Sequence, residues 1–165
     1  MIGKKMQKAI TKQINNEIYS AYLYLAMSAE AGNKGLKGAG KWFHVQFQEE
    51  LGHALKLHNY LLEQGVEVEY EAVAKPKVGF GSLLGMFEAT LKHERFITRC
   101  INDLMDVAVA EKDYASQALL QWYVTEQVEE EANDNEIIGM LKMAGASTGT
   151  LLMIDKQLGK REFKG

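Results

Sequence analysis

Residues 119–141, LLQWYVTEQVEEEANDNEIIGML, open and close as an apolar helical stripe and carry five glutamates between, four of them, Glu126, Glu129, Glu130 and Glu131, within six positions. A run of like charge ordinarily marks a solvated helix face or a tail. Here the apolar period holds its phase across the run. Continuing Leu119 and Tyr123 at helical spacing leads through Gln127 and Glu130, with Glu126 on the flank, and emerges at Ile137 and Leu141. Polar side chains therefore stand at core positions of one long helix. Glu130, on the stripe, and Glu126, on its flank, are expected to face inward.

The same interruption recurs along the chain. Phe43 and Phe47 lead through Glu50 and His53 to Leu57 and Leu61, and Leu91 leads through Glu94 to Ile101. Ile10 and Ile14 are followed by Glu17, and Tyr24, seven residues on, lies about 20° from the same direction. The periodicity predicts helices at roughly 5–32, 37–64, 82–110 and 114–143 and a short fifth at 148–159. Punctuation agrees: glycines cluster between 32 and 40, Pro76 is the one proline, and Gly145 and Gly149 break the end. An all-α four-helix bundle filling residues 1–165 as one domain is the expected architecture.

Short links make the first two helices one antiparallel hairpin and the third and fourth another. Residues 66–81, VEVEYEAVAKPKVGFG, differ. At ~3.3 Å per residue they reach about 50 Å, enough to recross a helix of ~43 Å and set the second and third helices parallel. Their alternation also suits a β-strand, but no second strand-like segment exists to pair with it.

Composition limits the function classes. The 165 residues are 47% hydrophobic and 25% charged, with formal net charge −3 and pI near 5.8, which gives no general attraction to nucleic acid or anionic membrane. A local acidic patch would concentrate cations instead. One cysteine, Cys100, excludes an intramolecular disulfide, and the uncharged stretch Ile18–Ala29 is too short to span a bilayer. The N-terminal stretch has no apolar signal region, so a cytoplasmic protein is expected.

Buried carboxylates cost several kcal/mol each unless compensated, so acids converging from four helices require a cation. Glu17, Glu50, His53, Glu94, Gln127 and Glu130 form an oxygen-rich set with one imidazole, favouring iron or manganese over a thiolate zinc site. Glu50 and His53, three apart, share one helix face. An internal repeat strengthens the case: an offset of 77 relates Glu17 to Glu94, Glu49 to Glu126, Glu50 to Gln127 and His53 to Glu130. The two hairpins thus read as distant copies about a pseudo-twofold axis with metal between them.

The segments NEIYSAYLYLAMSAE, FQEELGHA, LKHERFITRCINDL and LLQWYVTEQVEEE resemble, in order and over nearly the whole chain, the helix motifs of bacterial non-haem ferritin, within the ferritin-like di-iron four-helix-bundle family. The resemblance implies a ferroxidase. Glu17, Glu50 and His53 would hold a first iron, Glu50 would bridge, and Glu94 and Glu130 would hold a second, with Gln127 beside it. Tyr24 would hydrogen-bond next to the irons and donate electrons. Glu49, Glu126 and Glu129, helped by Glu130, would form an adjacent third iron site. Fe(II) would be oxidised to Fe(III) by O2 or H2O2 and stored as mineral in a hollow homo-oligomer of twenty-four chains, its fifth helix packing against other chains.

Departures from neighbouring families refine this. The position equivalent to a second Glu-x-x-His holds Gln127 and Glu130, so the second iron lacks imidazole and should leave more readily. Gly52 lies inside the Glu-x-x-His motif, where bacterioferritin's haem would need a nearby methionine, so no haem is expected. His44, His58 and His93 read as surface or flanking residues, with His93 placed to tune Glu94. Trp122 and Tyr123 read as core aromatics, Met140, Met143 and Met153 as gap fillers, and Cys100 as a small buried hydrophobe. Two other readings fit the acids: a di-iron oxygenase or peroxidase with an apolar substrate pocket, and a helical interaction protein binding metal incidentally.

Overall fold

The computed structural model describes residues 2–163. It contains α1 (Lys4–Asn33), α2 (Lys37–Glu63), α3 (Leu83–Ala110), α4 (Tyr114–Ala144) and α5 (Thr148–Leu158), close to the expected bounds. No strand forms among the described residues, and 66–81 is an irregular crossover. None of the helices is long and apolar enough to cross a membrane.

Side chains cap the later helices: Ser82 accepts from the Gly85 amide, Asp113 from Ser116 and Ser147 from Thr150. α2 has no local cap. Its N-terminus is satisfied from α5 instead, where Asp155 accepts from the Gly38 and Ala39 amides at 3.1 and 2.8 Å. The carboxylate there also complements the positive end of the helix dipole. Contact is close enough that a Cβ on Gly38 would lie 1.7 Å from the Asp155 carbonyl oxygen. Only glycine fits there. Gly145, at φ 53°, supplies the left-handed turn that ends α4.

Two sets of contacts fix direction. Glu30, near the end of α1, accepts from the amides of Gly79 and Phe80 just before α3, so α1 and α3 run antiparallel. Tyr60 pairs with Ser116, and Tyr123 donates to the His53 carbonyl at 2.7 Å, which sets α2 and α4 antiparallel. The crossover thus returns the chain to its starting end, as its length predicted.

Two apolar clusters result, with a polar layer between them. One holds Tyr24, Met27, Trp42, Phe43, Phe87 and Leu141, joined by Ile154 and Leu158 of α5. The other holds Met6, Ile10, Ile14, Leu57, Leu61, Ile101 and Tyr123. α5 therefore buries one face on its own bundle, contrary to the expectation that it would have little core to cover. Its other face exposes Leu152 at 56% and Met153 at 73%. Met153 and the 83%-exposed Met143 do not fill gaps, whereas Met140 packs on the first cluster.

Candidate metal centre

Each long helix delivers its polar residue to the interior because that residue replaces an apolar one in a buried stripe. Glu17 (α1), Glu50 and His53 (α2), Glu94 (α3), and Gln127 and Glu130 (α4) are all buried. Glu17, Glu50 and His53 each present a ligand atom within 4.8 Å of the others. His53 Nδ1 is 3.4 Å from Glu50 Oε2.

Neighbours orient these groups. Gln13 donates to Glu17 at 2.7 Å and Gln46 to Glu50 at 3.1 Å, each from one turn earlier on the same helix. Glu94 accepts from the Tyr24 hydroxyl on one oxygen and from Gln127 Nε2 at 3.1 Å on the other. Tyr24 thus stands against Glu94. His93 bonds Ser20 at 2.7 Å, and burial lowers its pKa to about 4, which keeps it neutral.

The electrostatics are those of acids lacking a counterion. Burial, then Glu50, raises Glu17 to about 8; burial, then Glu130, raises Glu94 to about 8. Burial with Glu94 and Glu130 pushes Glu50 well up, and burial raises Glu130. Glu17 Oε2 is buried without a hydrogen-bond partner. Anionic oxygens with one imidazole and an unpaired acceptor fit a hard divalent cation such as ferrous iron. Uptake of such a cation would displace the carboxyl protons.

Beside His53 a cavity of about 340 Å³ is lined by Glu49, Glu126, Glu129, Lys56, Trp122 and Phe163. Glu126 is half-buried and Glu129 is exposed at its rim, so only Glu130 of the acid run points fully inward. Glu131 does not face solvent either: it accepts from Thr98 at 2.7 Å and lies 3.5 Å from Arg95 on α3. Trp122 is 36% exposed, with Lys56 Nζ 3.6 Å over its ring, and is no core residue, whereas Tyr123 is buried. Cys100 is half-buried, and burial raises its thiol pKa.

Four neighbours escaped sequence reading. Gln13 and Gln46 had a signal, the repeated Gln-x-x-x-Glu spacing. Asp134, one turn after Glu130 and on the same stripe, is fully buried. Arg161 had none: it follows α5, yet its guanidinium bonds Glu49 and lies 4.3 Å over the Trp42 ring.

Comparison with known proteins agrees with this geometry. Residues 7–144 match the family described as Ferritin, Ferritin-like domain. The chain is 41% identical to a bacterial non-heme ferritin of Campylobacter jejuni, covering 96% of this chain and 95% of that one. It is 39% identical to one of Bacteroides fragilis, over 98% and 100%. Among solved structures, an open pore ferritin from the archaeon Archaeoglobus fulgidus superposes with TM-score 0.97 at 44% identity, over 98% and 100% of the two chains. A closed form of the Archaeoglobus fulgidus ferritin made by site-directed mutagenesis gives TM-score 0.97 at 45% identity, over 99% of each. With the family match spanning most of its length and these similarities nearly all of it, the chain belongs to the ferritin family.

Proposed function

We propose that this protein stores and detoxifies iron as a ferroxidase, oxidising Fe(II) to Fe(III) with O2 or H2O2 and passing the product to a mineral held inside a homo-oligomeric shell of twenty-four chains. The observation that carries the reading is the buried convergence of Glu17, Glu50 and His53 within 4.8 Å, with Glu94 and Glu130 adjoining. Each ferrous ion gives one electron to the oxidant. Glu17, Glu50 and His53 hold the first ion, and Glu94 and Glu130 the second, with Glu50 between.

The chain's own groups supply binding, proton release and orientation. Carboxyls that hold protons at neutral pH give them up as cations enter, so substrate charge is neutralised within the bundle. Tyr24 fixes the Glu94 carboxylate, and the Tyr123 bond to the His53 carbonyl steadies the helix beneath the imidazole. Glu49, Glu126 and Glu129, with Glu130, form a third position at the open cavity, where iron waits or passes through. Three carboxylates, Glu49, Glu126 and Glu129, line that cavity beside Lys56, Trp122 and Phe163, and their charge supports passage of a cation. The exposed apolar face of α5 supports contacts between chains.

Anaerobic ferrous titration of the assembled protein followed by oxygen tests the reading. His53→Ala should slow the initial oxidation at least about 100-fold while the helical fold is retained. Wild-type rates in that variant, or iron uptake ending at two ions per chain in a monomer, would overturn it.

A further inference from the structure

Asp134 is the one deeply buried acid that the proposed iron positions leave unused. It is 0% exposed, and neither carboxylate oxygen has a hydrogen-bond partner. Burial, then the charges of Glu94 and Glu130, raise it to about 9 against the smaller opposing influence of Arg161. An aspartate left so is costly, since an unsatisfied buried polar group loses its hydration without replacement.

A second orphan lies on the same side of the layer. Gln46 spends its amide hydrogens on Glu50, and its Oε1 is buried without a partner. Gln46 stands one turn before Glu50 on α2, and Asp134 one turn after Glu130 on α4. Because α2 and α4 run antiparallel, both are displaced in the same direction from the ligand layer, by ~6 Å along the bundle. Side chains lean toward the N-terminus of their own helix, so Gln46 on α2 leans away from the layer and Asp134 on α4 leans back toward it. Acceptors gathered without a donor match a cation.

Arg161 is the alternative partner within the chain. Its Nη1 is also buried without a partner, but its guanidinium is committed to Glu49 and to the Trp42 face. The internal repeat sharpens the contrast: the residue 77 positions before Asp134 is Leu57, a fully buried member of the opposite apolar cluster. At Leu57 the bundle needs nothing polar.

We propose that Asp134, with Gln46 Oε1 and Glu130, forms a further ferrous-ion position one helical turn beyond the second iron, on the side opposite Glu126. Glu130 then stands midway along an acid ladder on α4, Glu126, Glu130 and Asp134, spaced four residues apart. The ion is held by oxygen donors alone, which suits Fe(II) and other hard divalent cations. The position is an extension of the proposed di-iron centre and rests on that reading.

The test is anaerobic ferrous binding to the assembled wild-type protein and to Asp134→Val and Asp134→Asn, by calorimetry, with diffraction at the iron absorption edge. Wild type should bind one more ion per chain than either variant and show anomalous density beside Asp134. Both variants should keep the ions at Glu17, Glu50 and His53, and apo Asp134→Val should melt higher than wild type. Equal stoichiometry in all three proteins, or density at the pair and none at Asp134, would overturn this position and leave the di-iron reading intact. Loss of stability in Asp134→Val with unchanged binding would make Asp134 a structural partner of Arg161 and equally refute it. No iron at the pair in wild type would sink the ferroxidase reading first.

Discussion

The two apolar ends of the bundle are built from the same hairpin plan yet differ in one respect. The end holding Ile10, Ile14, Leu57 and Leu61 encloses no acid, and its Tyr123 hydroxyl reaches a main-chain carbonyl. The end holding Phe43, Phe87 and Leu141 takes in Asp134, and its Tyr24 hydroxyl reaches the Glu94 carboxylate. Positions that the repeat makes equivalent thus hold Leu57 on one side and Asp134 on the other. One end serves stability, and the other gives up stability to hold a buried carboxyl.

Exchanging the two characters should give the largest effect. Leu57→Asp removes a fully buried side chain and leaves a carboxyl unpaired, at a cost of about 4 kcal/mol or more in urea unfolding. Asp134→Val should instead gain about 1–3 kcal/mol in the apo protein. If both substitutions destabilise alike, the ends do not differ in the way described.

Proton linkage sharpens the contrast next. Glu17 and Glu94 titrate near 8 and Asp134 near 9 in the fold, each raised first by burial, against ordinary carboxyl values near 4 when unfolded. The folded chain therefore binds more protons between pH 4 and 9, and its stability falls as pH rises through that window. Thermal melts of the metal-free protein from pH 5 to 9 measure it. Loading with ferrous iron under nitrogen should flatten the slope, and a melting point that rises with pH would contradict the account.

A pair of single-atom deletions gives the smallest effect. Tyr24→Phe and Tyr123→Phe should each cost about 1 kcal/mol, the net worth of one buried hydrogen bond. Only Tyr24→Phe should move the pH midpoint of iron binding, upward, because its hydroxyl lowers the Glu94 pKa. Equal midpoints in the two variants would show that the acidic end is not electrostatically distinct.

The long helices and their inward polar positions were legible because a 3.6-residue period persists for whole helices and every break in it carries the same residue types. The crossover was legible from length alone. Asp134 lies in the polar run Asn133–Glu136 between Glu130 and Ile137, where composition does not single out the inward side chain. Glu131 and Trp122 sit at stripe edges, where a rotation of some tens of degrees separates a groove from solvent, and sequence spacing does not resolve that. The Arg161 contact with Glu49 depends on how α5 docks. No local rule encodes that placement.

That docking makes the tail a splint. Asp155 grips the first amides of α2, and Arg161 grips Glu49 three turns further along the same helix. The N-terminal half of α2 is therefore clamped at both ends by one short segment, with Gly38 as the seat on which it closes. A bulkier residue at Gly38 would be felt at Glu49, and the mouth of the cavity beside His53 would register an error made at the far end of the helix.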